Sequence, residues 1–425
     1  MNKKANAVQG AHDFPFTEYD LDNGLHVILA PSHHVPLVVT NLWYHVGSKD
    51  DPPSRTGFAH LFEHMMFQGS QNVRKGEHFK NILGAGGALN ATTSVDRTNY
   101  FETLPSSELE TALWLESDRL LALDVTHDNF ENQRDVVKEE RRQRYDNKPY
   151  GTVWENVAQR LWPTSGYHWT TIGSMDHLDQ ATVDDARAFH NEYYKPNNCS
   201  LALVGDFKES DARKLIDRYF GAIPKGKPVD RIVQHITPTP TEMRFTIKDA
   251  VKLSAVSIAF QSAEAFTRED YALDLLSYAL SDGRSSRLYR ELVYNRKIAR
   301  SVTAGSSGLE KSGVFYFDTK VQTDSSVGEV EEALWGEIEK LHRAPLEAVE
   351  LEKAKNRAEM EIVAFMTELG HRADRLQHGW CFKRDTAHCF SEIETYRSIT
   401  AEEIQHVAVK YLTRSQCVVG HVVPK

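Results

Sequence analysis

Residues 58 to 67 read Phe58-Ala59-His60-Leu61-Phe62-Glu63-His64-Met65-Met66-Phe67. On a helix that turns about 100° per residue, His60 and His64 lie about 40° apart, with Glu63 about 60° to the other side of His60. All three side chains therefore project from one face, while Leu61, Phe62, Met65 and Met66 cover the rest. A surface helix divides into a wet side and an apolar side. This stretch instead predicts a buried helix with a single polar face. Two imidazoles one turn apart can hold a Zn²⁺ ion and leave room for a third protein ligand and a water. Glu63 would stand beside that water as general base once the metal lowers its pKa toward about 7.

The third ligand should come from a neighbouring helix, and 129–145 carries acids at Glu131, Asp135, Glu139 and Glu140. With Phe130 as zero, Val137 falls at about −20°, Gln133 at about −60°, Glu140 at about −80° and Val136 at about −120°, whereas Glu139 falls at about 180°. Glu140 thus shares the inward arc and Glu139 does not. An ion pair with Arg141 or Arg144 is the other use of an inward Glu140.

Around these helices the first half reads as strands at 24–30, 37–46 and 90–100, with a Gly-rich loop at 84–87 and helices over 109–123 and 130–145. Strands joined by antiparallel-style turns, together with helices, predict an α+β fold. An offset of 400 − 182 = 218 residues lays Thr400-Ala-Glu-Glu403 onto Thr182-Val-Asp-Asp185, two capping-box-like helix starts. At that offset the helices end at Tyr193 and Tyr411 and Cys199 matches Cys417, and each Cys begins an apolar strand that contains a Val-Gly pair, Val204-Gly205 and Val419-Gly420. Two duplicated halves follow. Pro224, Pro228, Pro238 and Pro240 mark an extended linker between them. The expected division is 1–222, a linker at 223–241, and 242–425.

With 425 residues, 40% of them hydrophobic and 26% charged, the chain has the composition of a multidomain globular protein. Its net charge of −10 argues against nucleic acid as a partner. No run of about 18 apolar residues predicts a membrane span. The start Met-Asn-Lys-Lys lacks the apolar core of a secretory leader. A cytoplasmic location is expected for the chain as it stands, and a periplasmic one if a leader has been removed. Cys199, Cys381, Cys389 and Cys417 have no Cys-x-x-Cys spacing and read as buried thiols.

With Glu140 standing 140 − 64 = 76 residues after His64, the sequence resembles the pitrilysin-type inverzincin peptidases. Within them it looks most like the zinc-bearing subunit of the mitochondrial-processing-peptidase-like branch. The likeness extends to Asn23-Gly-Leu25, Gly86-Gly-Ala-Leu-Asn90-Ala-Thr92, Arg134-Asp-Val-Val-Lys-Glu-Glu140 and Ser285-Ser-Arg-Leu-Tyr289. The resemblance implies that His60, His64 and Glu140 bind one zinc ion and that Glu63 is the catalytic base of an endopeptidase for short or unfolded peptides. It implies two α+β halves in a clam-like chamber. It also implies that an extended peptide adds to the sheet edge at Asn90 and Ala91 with broad specificity.

Two departures from the family pattern stand out. Gln133 occupies the place of a second glutamate. An Arg and Tyr that grip the substrate backbone in active relatives are replaced by Val293 and Arg300, and Arg287 and Tyr294 have the right separation but sit six residues out of register. In the second half, Asp274, Ser277 and Tyr278 stand where His60, Glu63 and His64 do in the first. The resemblance therefore implies a heterodimer whose homologous partner supplies the Arg/Tyr pair, a homodimer being the other arrangement. The rival reading is a non-catalytic structural subunit of the same fold.

Overall fold

The computed structural model describes residues 4–5 and 14–425, and these form two compact units. The first unit comprises the chain up to Glu140, Thr171–Ile232 and Val363–Ser391; the second comprises Arg141–Thr170, Val233–Ile362 and Glu392–Lys425. The step at Ile232/Val233 lies in the Pro-rich stretch, where 224–240 form neither helix nor strand. The expectation of two contiguous halves needs correcting, because each unit takes a segment from beyond that stretch.

The physical reason is packing. In the second unit, Trp162 lies 2% exposed and its indole N–H donates to Ser312 Oγ at 3.0 Å. In the first unit, the fully buried Gln377 donates to the carbonyls of Asn41 (2.7 Å) and Ser200 (2.9 Å) and accepts from Ser200 Oγ (2.5 Å). Buried polar groups need such partners, so these distant segments complete the units they join.

The first unit is built on β1 (Lys4–Ala5), β2 (Thr17–Asp20), β3 (His26–Pro31), β4 (Leu37–Tyr44), β5 (Ala88–Thr93), β6 (Thr98–Pro105) and β7 (Cys199–Gly205), in the order β1-β2-β3-β7-β4-β6-β5. The second has β8 (Met243–Asp249), β9 (Ala255–Gln261), β10 (Ala299–Gly308), β11 (Gly313–Val321) and β12 (Cys417–Pro424), in the order β10-β11-β9-β12-β8.

The duplication is visible in the ladders. The run β3-β7-β4-β6-β5 has the same order and sense as β8-β12-β9-β11-β10: one parallel pair (β3 with β7, β8 with β12) followed by antiparallel neighbours. The two capping boxes also recur. Thr182 and Asp185 open Val183–Tyr193, and Thr400 and Glu403 open Ala401–Tyr411, with reciprocal backbone hydrogen bonds of 2.8 to 3.2 Å.

The strand expected over 90–100 is instead a hairpin, β5 and β6. Ser94 makes the turn: its Oγ accepts the N–H groups of Asp96 (3.2 Å) and Arg97 (3.0 Å), and its own N–H donates to the Arg97 carbonyl at 2.8 Å. Short polar side chains compete for backbone in this way and break a strand that its flanking residues favour. The expected helix over 130–145 begins earlier, as His127–Arg141, and finishes in a wider turn at Arg142–Asp146. All four cysteines are buried, as the sequence predicts.

Candidate metal centre

The helix Phe58–Met65 is buried nearly all round, with Ala59, Leu61, Phe62 and Met65 at most 1% exposed. Phe62 packs on Phe189 and Tyr194, and Phe58 on Phe189. The helix start is fixed by Asp51, a fully buried side chain whose carboxylate accepts the N–H groups of Gly57 and Ala59, each at 2.8 Å. It satisfies donors that a helix leaves unpaired, while burial raises the pKa of its carboxyl well above the usual range. Gly57 has φ of 92°, and a Cβ there would lie 2.6 Å from the Ile172 carbonyl, so only glycine lets the chain enter the helix here.

From this helix His60 and His64 face Glu140 on the helix His127–Arg141. His60 Nε2 lies 3.8 Å from Glu140 Oε1 and His64 Nε2 lies 3.3 Å from Oε2. A tetrahedral ion with bonds of about 2.1 Å sets its ligand atoms about 3.4 Å apart, so this spacing suits a divalent metal such as zinc. The donor set is also right in kind: two imidazoles and one carboxyl group, with room for a fourth ligand.

Phe130 and Val137 are fully buried and Glu139 is exposed, as the periodicity requires, while Val136 turns outward at 42% exposure. Arg141 pairs with Glu155 at 3.1 Å. Gln133 is buried and donates to Asn132 Oδ1 at 2.9 Å.

Glu63 extends from the same face, and its Oε2 accepts a 2.5 Å hydrogen bond from Thr93 Oγ1 at the end of β5. Burial raises the carboxyl's pKa; the Thr93 bond and His64 pull it down, and the charge of Glu140 pushes it up again. Thr93 and Asp51 were not singled out by the sequence. Asp51 could have been found as an acid just ahead of the helix entry, but nothing local marks Thr93, because its contact with Glu63 spans 30 residues.

β5 is the last strand of its sheet, and its pairing with β6 sorts its side chains by parity. Ala91 and Thr93 share the face toward the histidine helix, whereas Asn90 and Thr92 are exposed on the other. The two strand residues expected to touch substrate therefore point in opposite directions.

A second buried cluster lies in the same unit. His78 Nε2 hydrogen-bonds Glu102 Oε1 at 2.6 Å, and Arg119 forks onto Glu116, with 2.9 Å from Nε to Oε2. Arg119 also lies over Tyr100 and Phe67, 4.4 and 5.0 Å from their ring centroids. Burial pushes His78 down to about 3 and both glutamates up to about 7. A guanidinium already neutralises this group, so it is a poor cation site.

In the second unit the helix Arg268–Ser281 carries Asp274, Ser277 and Tyr278. Tyr396 Oη donates to Asp274 Oδ2 at 2.7 Å and Tyr278 Oη donates to Glu361 Oε2 at 2.9 Å. At these positions the second unit makes hydrogen bonds between side chains. Arg287 is held by Glu350 through two bonds of 2.7 and 2.6 Å, and Tyr294 is 72% exposed.

Two family descriptions match this chain: "Insulinase (Peptidase family M16)" over residues 26–173 and "Peptidase M16 inactive domain" over residues 180–358. The zinc protease PqqE of Helicobacter pylori is 30% identical, the match covering 79% of this chain and 76% of that protein. The crystal structure of a protease from Helicobacter pylori superposes with a TM-score of 0.91 at 26% identity, covering 97% of this chain and all of that one. A structure from Pseudomonas fluorescens, described as a peptidase M16 inactive domain, has a TM-score of 0.86 at 17% identity, covers 96% of this chain and 98% of that one, and shows the shared fold.

Proposed function

The chain belongs to the M16 (insulinase, pitrilysin-type) peptidase family, and from that premise we propose that it is a zinc-dependent endopeptidase acting on short or unfolded peptides. The observation that carries this reading is the convergence of His60, His64 and Glu140, with Glu63 hydrogen-bonded beside them. Zinc held by the three ligands would supply Lewis acidity and make water easier to deprotonate.

The residues of the chain do the rest. Glu63 takes a proton at a carboxylate oxygen and returns it to the leaving amine. Thr93 fixes the orientation of that carboxylate. The free edge of β5 offers backbone groups with which an extended peptide can pair irrespective of its sequence. Glu139, on the outward side of its helix, takes no part.

Metal analysis of the purified protein together with peptide turnover by Glu63→Gln tests the reading. About one zinc ion per chain, retained in the variant while kcat/KM falls by about 10² to 10⁴, is the expected result. A wild-type chain that holds no zinc would favour the rival reading, a structural subunit. A variant with normal turnover would overturn the role of Glu63.

A further inference from the structure

Residues 47–51 touch both of the elements that bring Glu63 and Thr93 together. At one end of this segment Asp51 caps the histidine helix. Its middle lies against the turn between β5 and β6, where the Ser48 N–H donates to the Ser94 carbonyl at 3.1 Å and the Lys49 N–H to the Val95 carbonyl at 2.9 Å. Gly47 permits this close approach, because a Cβ there would lie 2.5 Å from the Val95 carbonyl. Thr93, whose hydroxyl holds Glu63, stands two residues before Val95.

The Lys49 side chain is 4% exposed at this junction. Its ammonium lies 3.2 Å from Asp96 Oδ1 and 3.6 Å from Asp50 Oδ2, and it donates to the Asp96 carbonyl at 3.2 Å. Both acids are buried as well, and Asp50 Oδ2 also accepts the Gly47 N–H at 3.0 Å. The three N–H groups of the ammonium thus face three oxygens, two of them at the tip of the hairpin. Stability alone does not call for such a group. Charges taken out of water lose their solvation, and well-packed apolar side chains of similar volume commonly hold a fold as well or better. Position is another matter, because β5 is the last strand of its sheet, with β6 on one side. A slip of one residue along β6 would turn Thr93 to the opposite face, away from Glu63.

We propose that Lys49 is a positioning residue for peptide hydrolysis: its buried ammonium pins the β5–β6 turn to the segment that caps the histidine helix, and so sets the contact between Thr93 and Glu63. The inference rests on the peptidase reading, and Lys49 acts through Thr93.

The experiment compares the wild type with three zinc-loaded variants of the full chain. One carries Lys49→Met with Asp96→Asn, which removes both charges and leaves neither buried alone. The second carries Thr93→Val, and the third combines all three substitutions. Turnover of a quenched fluorogenic decapeptide gives kcat and KM. Hydrogen exchange followed by mass spectrometry is read over 88–98, with 26–31 in the interior of the sheet as the control.

Removing the pair should leave zinc content and the control strand unchanged while exchange over 88–98 becomes at least about tenfold faster. It should lower kcat by about tenfold with KM little changed. In the combined variant kcat should stay within about twofold of Thr93→Val alone, since the two changes break one link. A mere loss of folded protein would instead multiply with the Thr93 loss. Wild-type exchange over 88–98, an unchanged kcat, or losses that multiply overturn the proposal. Should the paired variant not fold, Asp96→Asn alone, which leaves Lys49 facing the Asp96 carbonyl and Asp50, is read by the same criteria. If the zinc-loaded wild type cuts no peptide, the peptidase reading fails, and exchange over 88–98 still decides whether Lys49 pins the hairpin.

Discussion

Thr93 Oγ1 and Glu63 Oε2 are 2.5 Å apart, which ties the carboxylate of the histidine helix to the strand at the open edge of the sheet. A hydrogen bond to a charged acceptor is worth about 1.5 to 3 kcal/mol. Thr93→Val should therefore lower kcat by about tenfold or more with KM little changed, and Thr93→Ser should restore it. Equal turnover in all three proteins would show that the carboxylate needs no such anchor.

Removing one ligand should loosen the metal without unfolding the helix. Glu140→Gln keeps the shape of the side chain but removes the charge that lies 3.3 Å from His64. Zinc per chain measured after dialysis should fall well below that of the wild type, while Glu139→Gln on the exposed side should leave it unchanged.

Asp51 holds two amide groups at the start of the histidine helix from a position wholly out of water. Asp51→Ala leaves both donors without an acceptor and should cost about 2 to 4 kcal/mol. Urea titration should show a lower midpoint, and zinc should bind more weakly because the His60 backbone is no longer fixed.

Glu102 sits among His78, Glu116, Arg119 and Thr40, and burial lifts it from the usual 4.5 to about 7. A carboxyl whose pKa rises on folding holds its proton more tightly in the folded state. Its contribution to stability is complete below about pH 4.5 and is lost as pH climbs through about 7. The melting temperature of the wild type minus that of Glu102→Gln should therefore fall between about pH 5 and pH 8. Because His78 is bonded directly to this carboxyl, the same comparison made on a His78→Asn background separates its titration from that of Glu102.

Arg287, the second half's nearest stand-in for a substrate-gripping arginine, is already engaged by Glu350. We expect the purified chain to cut peptides slowly and a homologous subunit bearing the Arg/Tyr pair to raise turnover by about 10² or more, the scale on which oriented donors near a reacting carbonyl act. Full activity of the isolated chain, checked against its elution volume, would show that no such partner is needed.

Periodicity carried the sequence reading far where one helix face decides the outcome. The separation of Glu140 from Glu139 needed only 100° per residue, and the repeat needed only matched caps and strands. Features made by chain reversal or by contacts at long range were not legible. Ser94 converts one apparent strand into two, and the pairing of Thr93 with Glu63 depends on where that hairpin ends. The contiguous halves expected at 1–222 and 242–425 failed for a similar reason. No local property of Gln377 announces that its amide will satisfy Asn41 and Ser200, 336 and 177 residues earlier.

Each unit is completed by a segment from across the Pro-rich stretch. A fragment ending in the Pro-rich stretch would retain His60, Glu63, His64 and Glu140 yet lack the plug around Gln377. A nick there would leave each remnant missing part of its own interior. Neither half of the sequence therefore contains a whole unit.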